Sequence, residues 1–194
     1  MTPEEKVYHR LRKHLDTMPV GFPSTRSGVE LKILRHLFSP AEAQVAIHMS
    51  HAFAAAGDIF TTARKDNISQ AQCEKCLTDM AAKGSILCRM GDEKSRYALI
   101  PFVVGMYEFQ IRRMTFEFYE DAARYFREAF GLTYLSTAVP QMRVIPIRQS
   151  VVEENRIATY DEIRHLIAAA DGRIGVTDCI CRKGADLAGR PCRQ

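Results

Sequence analysis

Ser69-Gln-Ala-Gln-Cys-Glu-Lys-Cys-Leu-Thr-Asp-Met-Ala-Ala-Lys-Gly84 organises the first half of the chain, because this stretch predicts one amphipathic helix. Ser69 lies at its start, and Gly84 supplies the left-handed residue that commonly follows the last helical turn. The apolar side chains recur at i, i+3, i+4, i+7 and i+8, which predicts one buried face. That face consists of Cys73, Cys76, Leu77, Met80 and Ala81.

Two β-rich stretches follow this helix around a polar tip. Ser85-Ile-Leu-Cys-Arg-Met90 and Arg96-Tyr-Ala-Leu-Ile-Pro-Phe-Val-Val104 flank a turn at residues 91–94 and predict a hairpin. A short helix is predicted just before the long one, over residues 58–65. Helix, short helix, longer helix and hairpin, in that order, indicate a winged helix-turn-helix core. The predicted fold class is therefore α+β and mostly helical.

Further helices are predicted before this core. Thr2-Pro3-Glu4-Glu5 combines an N-cap, a proline in the first turn and acidic residues, and predicts a helix to about residue 16. A second helix is predicted over residues 29–37. Ser39-Pro40-Ala41-Glu42 repeats the cap-and-proline pattern and predicts a third, to about residue 53. Residues 1–104 are thus expected to form one winged-helix-like domain with an N-terminal helical extension.

Residues 105–131 are predicted to form a long connecting helix. Eight of the 17 aromatic residues lie between Tyr107 and Phe130. Gly131, which follows them, is expected to end the helix. Its apolar residues cover more than one face, so we expect it to pack on two sides, against the winged domain and against the C-terminal part or a second subunit. A homodimer through residues 106–130 is one such arrangement. The aromatic density indicates a core rather than a cofactor site.

Residues 132–194 are predicted to form a small α/β segment that ends in a cysteine-rich tail. Alternation over residues 142–147 predicts a short edge strand, with Pro146 consistent with an edge position. Thr159-Tyr-Asp-Glu162 is a capping motif that predicts a helix to residue 170. A brief strand over residues 173–177 would lead to Cys179.

Composition and charge exclude several classes of protein. The 194 residues are 46% hydrophobic and 26% charged, with a net charge of +4, which is typical of a globular domain and too balanced to indicate nucleic-acid binding. No apolar run approaches the roughly 18 residues of a membrane span. The polar, acidic N-terminus does not resemble a secretory signal. Six unevenly spaced cysteines then favour reduced thiols and a cytoplasmic location.

Three of the cysteines predict a metal or cluster site. Cys179-Ile-Cys181-Arg182 is followed ten residues later by Cys192, and thiolates crowded in this way suit a soft metal or an iron–sulfur cluster. Zinc takes the same ligands. Three thiolates do not complete a four-coordinate site, and the alternative is a tail whose thiols bind no metal.

The other candidate ligands are assigned structural roles. Cys73 and Cys76 form a CxxC, but they fall on the buried face of a helix, where cysteine behaves as a small hydrophobe. Cys88 lies in a predicted strand and is interpreted in the same way. The six histidines do not cluster, and no metal or catalytic role is assigned to them. No phosphate loop, nucleophile elbow or dinucleotide fingerprint is present, so no catalytic residue is proposed.

DNA binding is an alternative that the fold permits and the surface chemistry disfavours. Glutamine reads base edges, and lysine and arginine contact phosphates. Glu74 and Asp79 on the same helix would repel the DNA backbone. The candidate DNA-binding residues are Gln70, Gln72, Lys75, Lys94 and Arg96.

Three stretches resemble a known family. They are Leu15-Asp-Thr-Met-Pro-Val-Gly-Phe-Pro-Ser-Thr-Arg-Ser-Gly-Val-Glu-Leu-Lys-Ile-Leu34, Tyr97-Ala-Leu-Ile-Pro-Phe-Val-Val-Gly-Met-Tyr-Glu-Phe109 and Cys179-Ile-Cys-Arg182. The chain resembles bacterial and archaeal ferredoxin-like iron–sulfur proteins, in which a winged-helix-like region precedes a CxCR element and tandem motifs for 4Fe-4S clusters. Cys179, Cys181 and Cys192 match the cysteine-rich element, whereas the ferredoxin CxxCxxCxxxCP motif is missing from this chain.

The resemblance implies that the chain is the N-terminal scaffold of an iron–sulfur electron-transfer protein. The 4Fe-4S clusters would belong to the full-length parent, and the scaffold would dock a redox partner protein or dimerise. No enzyme activity of its own is expected, beyond a part in electron transfer. The alternative is a winged-helix DNA-binding regulator whose cysteine site senses a metal or the redox state.

Overall fold

The computed structural model describes residues 2–91, 95–136 and 160–191. The chain divides into two compact units. The first unit comprises Met1–Gln141 together with Cys179–Gln194, and the second comprises Met142–Asp178. The predicted three-part division into residues 1–104, 105–131 and 132–194 stays a prediction.

Three helices open the first unit. They are α1 (Pro3–Leu15), α2 (Val29–Leu37) and α3 (Pro40–Ala46). The predicted caps of α1 and α3 are confirmed, because Thr2 and Ser39 each form a capping box with the glutamate three residues later. The third helix is shorter than predicted, since it ends at Ala46 instead of near residue 53. His48 and His51 therefore lie beyond it.

A small sheet and two helices follow. The elements are β1 (Ala54–Ala55), α4 (Ala56–Ala63), α5 (Gln70–Ala82), β2 (Leu87–Arg89) and β3 (Arg96–Ala98). Both strand pairs are antiparallel, and the order across the sheet is β1-β3-β2. The predicted helix over residues 69–84 is confirmed, with Ser69 as its N-cap and Gly84 in the left-handed conformation. The described residues are thus mostly helical with one small antiparallel sheet, as the α+β prediction states.

The predicted long connecting helix begins later than expected. An irregular turn (Phe102–Met106) and a 3₁₀ turn (Glu108–Arg112) occupy the start of the predicted range. Helix α6 (Phe116–Tyr125) starts only where the Thr115 side chain accepts a hydrogen bond from the Phe118 amide.

This helix also ends later than expected. One π turn (Phe126–Phe130) joins α6 to α7 (Gly131–Ser136), and Gly131 has ordinary helical dihedral angles. The prediction that Gly131 ends the helix is therefore wrong.

The C-terminal part differs from prediction in two further places. Helix α8 (Tyr160–Ala169) confirms the predicted helix of the second unit. Residues 173–177, predicted as a strand, pair with no other strand in the part of the chain that the structure describes. Helix α9 (Ile180–Leu187) lies within the predicted cysteine-rich tail, for which no helix was predicted. The strand predicted over residues 142–147 lies outside the described residues.

The core of the first unit is rich in aromatic rings, as predicted. Phe102 contacts Phe22, Tyr125 and Phe130, with ring centroids 5.7–5.9 Å apart. Such edge-to-face contacts hold the irregular turn after the sheet against the helix that follows it. None of the described helices is long and apolar enough to cross a membrane.

Candidate functional site

Helix α9 is fixed to the body of the first unit by contacts with residues far away in sequence. Ile180 is buried, and the Lys183 Nζ donates a hydrogen bond of 2.6 Å to the Ile111 carbonyl. Gly184 packs directly on Tyr119, because a Cβ at this position would overlap the ring and lie 3.1 Å from its Cγ. This close approach requires glycine, so Gly184 allows the helix and the ring to meet.

The docked helix presents two of the three predicted ligand cysteines. Cys179 is the N-cap residue of α9, and Cys181 lies in its first turn. Both side chains are exposed to solvent. The third predicted ligand, Cys192, lies outside the described residues. The site that the structure describes is therefore a pair of thiols at the start of one short helix.

Local electrostatics favour the thiolate form of Cys179. The backbone amides of Arg182 and Cys181 lower the pKa of the Cys179 thiol, and the Arg182 charge and the Cys181 side chain lower it further. The Cys179 sulfur accepts no capping hydrogen bond of ordinary geometry from the helix. The lowered pKa therefore comes from backbone N–H dipoles that lie beside the sulfur. Helix N-termini lower cysteine pKa values in this way, and thiolate is the form that binds metals.

Tyr107 is a titratable neighbour of the pair from another part of the chain. Burial raises the pKa of its phenol, and the negative charges of Cys181 and Cys179 raise it further. Tyr107 therefore stays protonated while the Cys179 thiol ionises. It also stacks on Phe118, with centroids 5.9 Å apart, which holds its ring in place.

The remaining cysteines have different environments. Cys73 and Cys76 are buried on α5, which confirms their predicted place on its apolar face. Burial raises the pKa of Cys73 to about 11 and also raises that of Cys76. Cys88 is exposed on β2, so its interpretation as a buried residue is wrong. The five described cysteines form no disulfide with one another.

The described residues include two of the three candidate ligands of the predicted metal site. No group of three or more His, Cys, Asp or Glu side chains that could hold a metal ion occurs among residues 2–91, 95–136 and 160–191. Two adjacent thiols, one with a lowered pKa, are nevertheless suitable donors for a soft metal or an iron–sulfur cluster. They fit such a group as two of its ligands.

No protein-family model, curated protein or solved structure matches the chain. The resemblance to ferredoxin-like iron–sulfur proteins accordingly stays a prediction.

The candidate DNA-binding residues are only partly brought together. Gln70, Gln72 and Lys75 lie on the exposed face of α5, and Arg96 lies on β3. Lys94 lies outside the described residues. The Gln70 amide donates to Glu74 at 2.9 Å, and Lys75 forms an ion pair of 2.5 Å with Asp79. The cation and one amide of this face are therefore already engaged by carboxylates.

Sequence reasoning found the thiols but missed what positions them. Gly184 and Lys183 lie in a segment without a clear helical period, and their partners on residues 111–119 are distant in sequence. The signal available was the glycine itself, because a residue without a Cβ allows another part of the chain to approach closely. The contact between the His48 Nε2 and the Asp66 Oδ2, at 3.2 Å, joins residues 18 positions apart and likewise has no local signal.

We expect the thiols to differ strongly in reactivity. With limiting iodoacetamide at neutral pH, Cys179 should alkylate first and faster than Cys88, which is also exposed but lies on a strand. Cys73 should react at least about a hundredfold more slowly, because its raised pKa leaves little thiolate. Mass spectrometry of timed digests measures all of these rates. Alkylation of Cys88 ahead of Cys179 would contradict the electrostatic argument.

Proposed function

We propose that the chain is the docking scaffold of an iron–sulfur electron-transfer protein, in which Cys179, Cys181 and Cys192 supply thiolate ligands. The observation that supports this proposal best is the exposed thiol pair on a helix anchored to the core, with the pKa of Cys179 lowered. An iron–sulfur cluster, when bound, accepts and releases an electron. The protein's own contribution is to hold two sulfur atoms at a fixed place on its surface.

The anchoring of α9 supports a ligand role over a loose tail. A loose tail whose thiols bind nothing would not require the three contacts that hold α9 in place. These are the burial of Ile180, the hydrogen bond from Lys183 to a distant carbonyl and the packing of Gly184 on a ring. These contacts reduce the conformational freedom that ligand binding would otherwise have to remove. Reduced thiols also fit the cytoplasmic location predicted from the sequence.

The winged-helix interpretation of residues 1–104 belongs to the same proposal. It is supported by the element order α3-β1-α4-α5-β2-β3 and by the strand order β1-β3-β2. We assign this part to partner docking rather than to DNA, because Lys75 and Gln70 are paired with carboxylates. A homodimer through residues 106–130 remains part of the proposal, supported by the half-exposed rings of Phe109 and Phe116. Sedimentation of the chain measures its oligomeric state directly.

Anaerobic reconstitution tests the cluster directly. The 194-residue chain is incubated with ferrous iron, sulfide and a thiol reductant, then desalted, and bound iron and labile sulfide are counted. We expect iron and sulfide in near-equal amounts, with visible absorbance that a reductant bleaches. Cys179→Ser should abolish most of this binding, because a serine hydroxyl is not a thiolate donor.

Cys88→Ser is the matched control, because Cys88 is also an exposed thiol but lies on β2. It should retain the iron and sulfide of the unaltered chain. Equal loss in both variants, or zinc binding without sulfide, would overturn the cluster proposal. In a parallel incubation with zinc alone, zinc that the unaltered chain retains and Cys179→Ser loses would instead indicate a zinc site.

The second candidate is a DNA-binding regulator, which the order of helices and strands favours. It predicts a duplex-DNA complex whose affinity falls steeply with salt and weakens in Arg96→Glu, since phosphate contacts release counterions. Arg10→Glu is the control, because Arg10 is an exposed arginine of α1 that pairs with Asp66. If Arg96→Glu leaves the affinity for duplex DNA unchanged, this candidate is excluded.

A further inference from the structure

A cleft of about 400 Å³ opens beside the thiol pair. The irregular turn after the sheet forms one wall, helix α6 and the following π turn form another, and the start of α9 closes one side. All of these elements belong to the first compact unit. The volume lies within the range of roughly 300–1,000 Å³ that is typical of small-molecule sites.

The cleft is lined mainly by rings. Phe102, Tyr107, Tyr119 and Phe126 contribute aromatic side chains, and Ala123 keeps the space between them open because its side chain is a single methyl group. Aromatic walls favour a flat ligand, since rings gain most when they stack or meet edge to face. A flexible aliphatic chain would make no ring–ring contacts with these walls and would bind more weakly.

The charged groups of the cleft favour an anion. Arg127 lines it and forms no hydrogen bond or ion pair with any residue in the described ranges. Glu108 also lines it, but its Oε2 already accepts a hydrogen bond of 2.6 Å from the Gly105 amide. Glu108 keeps its negative charge but offers no donor, whereas the Arg127 guanidinium has donors left for a ligand, which suits a carboxylate, sulfonate or phosphate.

We propose that this cleft binds a flat aromatic molecule carrying one anionic group, with the ring between the aromatic side chains and the anion on Arg127. Cys181 lines the same cleft, so the bound molecule covers one side of the thiol pair. The proposal does not depend on a metal, and it assigns a second, distinct chemistry to this surface.

A matched pair of fluorescent probes tests the proposal on the full chain. 8-Anilinonaphthalene-1-sulfonate is an aromatic anion with a flat naphthalene ring system, and N-phenyl-1-naphthylamine has the same rings without the sulfonate. We expect both to bind with one site per chain, and the sulfonate to bind about tenfold more tightly, as one charge-assisted contact allows.

Two variants separate the contributions of ring and charge. Arg127→Gln should reduce sulfonate affinity to that of the neutral probe while leaving the neutral probe unchanged. Ala123→Phe should abolish the binding of both probes, because the new ring fills the space between the walls. The controls are Arg124→Gln, one helical turn away and paired with Glu128 at 2.5 Å, and Ala71→Phe on the exposed face of α5. Both controls should bind both probes like the unaltered chain.

Alkylation of the thiols provides an independent measurement. Saturating sulfonate should slow the reaction of Cys181 and leave that of Cys88 unchanged. Arg127 is exposed, so Arg127→Gln should fold even if Ala123→Phe does not. The proposal fails if the sulfonate does not bind, if Arg127→Gln binds both probes unchanged, or if binding leaves Cys181 unprotected.

Discussion

Replacing Gly84 by alanine is expected to lower the free energy of unfolding by about 3 kcal/mol, the sum of two effects. Gly84 has a φ of +72°, where an L-residue with a Cβ is strained. An added Cβ would also overlap the Cβ of Phe109 and lie 3.2 Å from its carbonyl oxygen. The substituted chain must therefore separate the end of α5 from the 3₁₀ turn or distort both.

Urea unfolding followed by circular dichroism measures this loss. Gly57→Ala is the matched control, because a Cβ at Gly57 in α4 meets nothing within 4 Å. That change should leave stability unchanged or raise it by up to about 1 kcal/mol through helix propensity. If the Gly84→Ala protein is as stable as the unaltered chain, Phe109 can move away from the added Cβ without lowering the free energy of unfolding, and the prediction is wrong.

His36 is expected to make the fold sensitive to acid. Its ring stacks on Phe118 at 4.0 Å between centroids, and its buried Nε2 has no hydrogen-bond partner among the described residues. Burial, together with the charges of Arg113 and Lys83, lowers the pKa of His36 to about 4. The folded protein therefore keeps this imidazole neutral well below neutral pH.

The direction of the pH effect follows from the two protonation states. The unfolded chain takes up the proton at about pH 6.5, whereas the folded chain resists it until about pH 4. The contribution of the neutral His36 ring to the free energy of unfolding is thus complete above pH 6.5, and it is lost as the pH falls towards 4. Between pH 7 and pH 4.5 the loss amounts to about 2.5 kcal/mol, from 1.36 kcal/mol per unit of pKa difference.

Urea unfolding at the two pH values, compared between variants, isolates this residue from other titrating groups. His36→Phe keeps a ring on Phe118 but cannot take up a proton, so it should lose less stability in acid than the unaltered chain. His51→Gln, at an exposed position, should retain the original pH dependence. An equal loss in all three proteins would refute the role of His36.

Local signals were sufficient for the elements that caps and periodicity specify. Helix α2 begins and ends where the sequence predicted, and Ser69 and Gly84 mark the ends of α5. Thr115 was overlooked as an N-cap, so the start of α6 was placed too early. Gly131 is predicted to end the helix, but the glycines that commonly end helices do so with a positive φ, and here the φ of Gly131 is −59°.

The candidate site was predictable in residue type but not in arrangement. Cys179 and Cys181 stand out by spacing alone. The docking of α9 depends on Gly184 and Tyr119, which are 65 positions apart in the numbering. The cleft likewise gathers residues from 102 to 181. Contacts of this kind are set by tertiary packing, which no local pattern encodes.

The hydrogen bond from Lys183 to the carbonyl 72 residues earlier bears on the order of events during folding. Contacts between distant residues form slowly, because the loop between them must first be closed. Helix α9 packs on the 3₁₀ turn through Ile111 and on α6 through Tyr119, so both must be in place before it can dock. The thiol pair then reaches its native position only after that surface has formed, so any metal or cluster that binds there meets a part of the protein that has already folded.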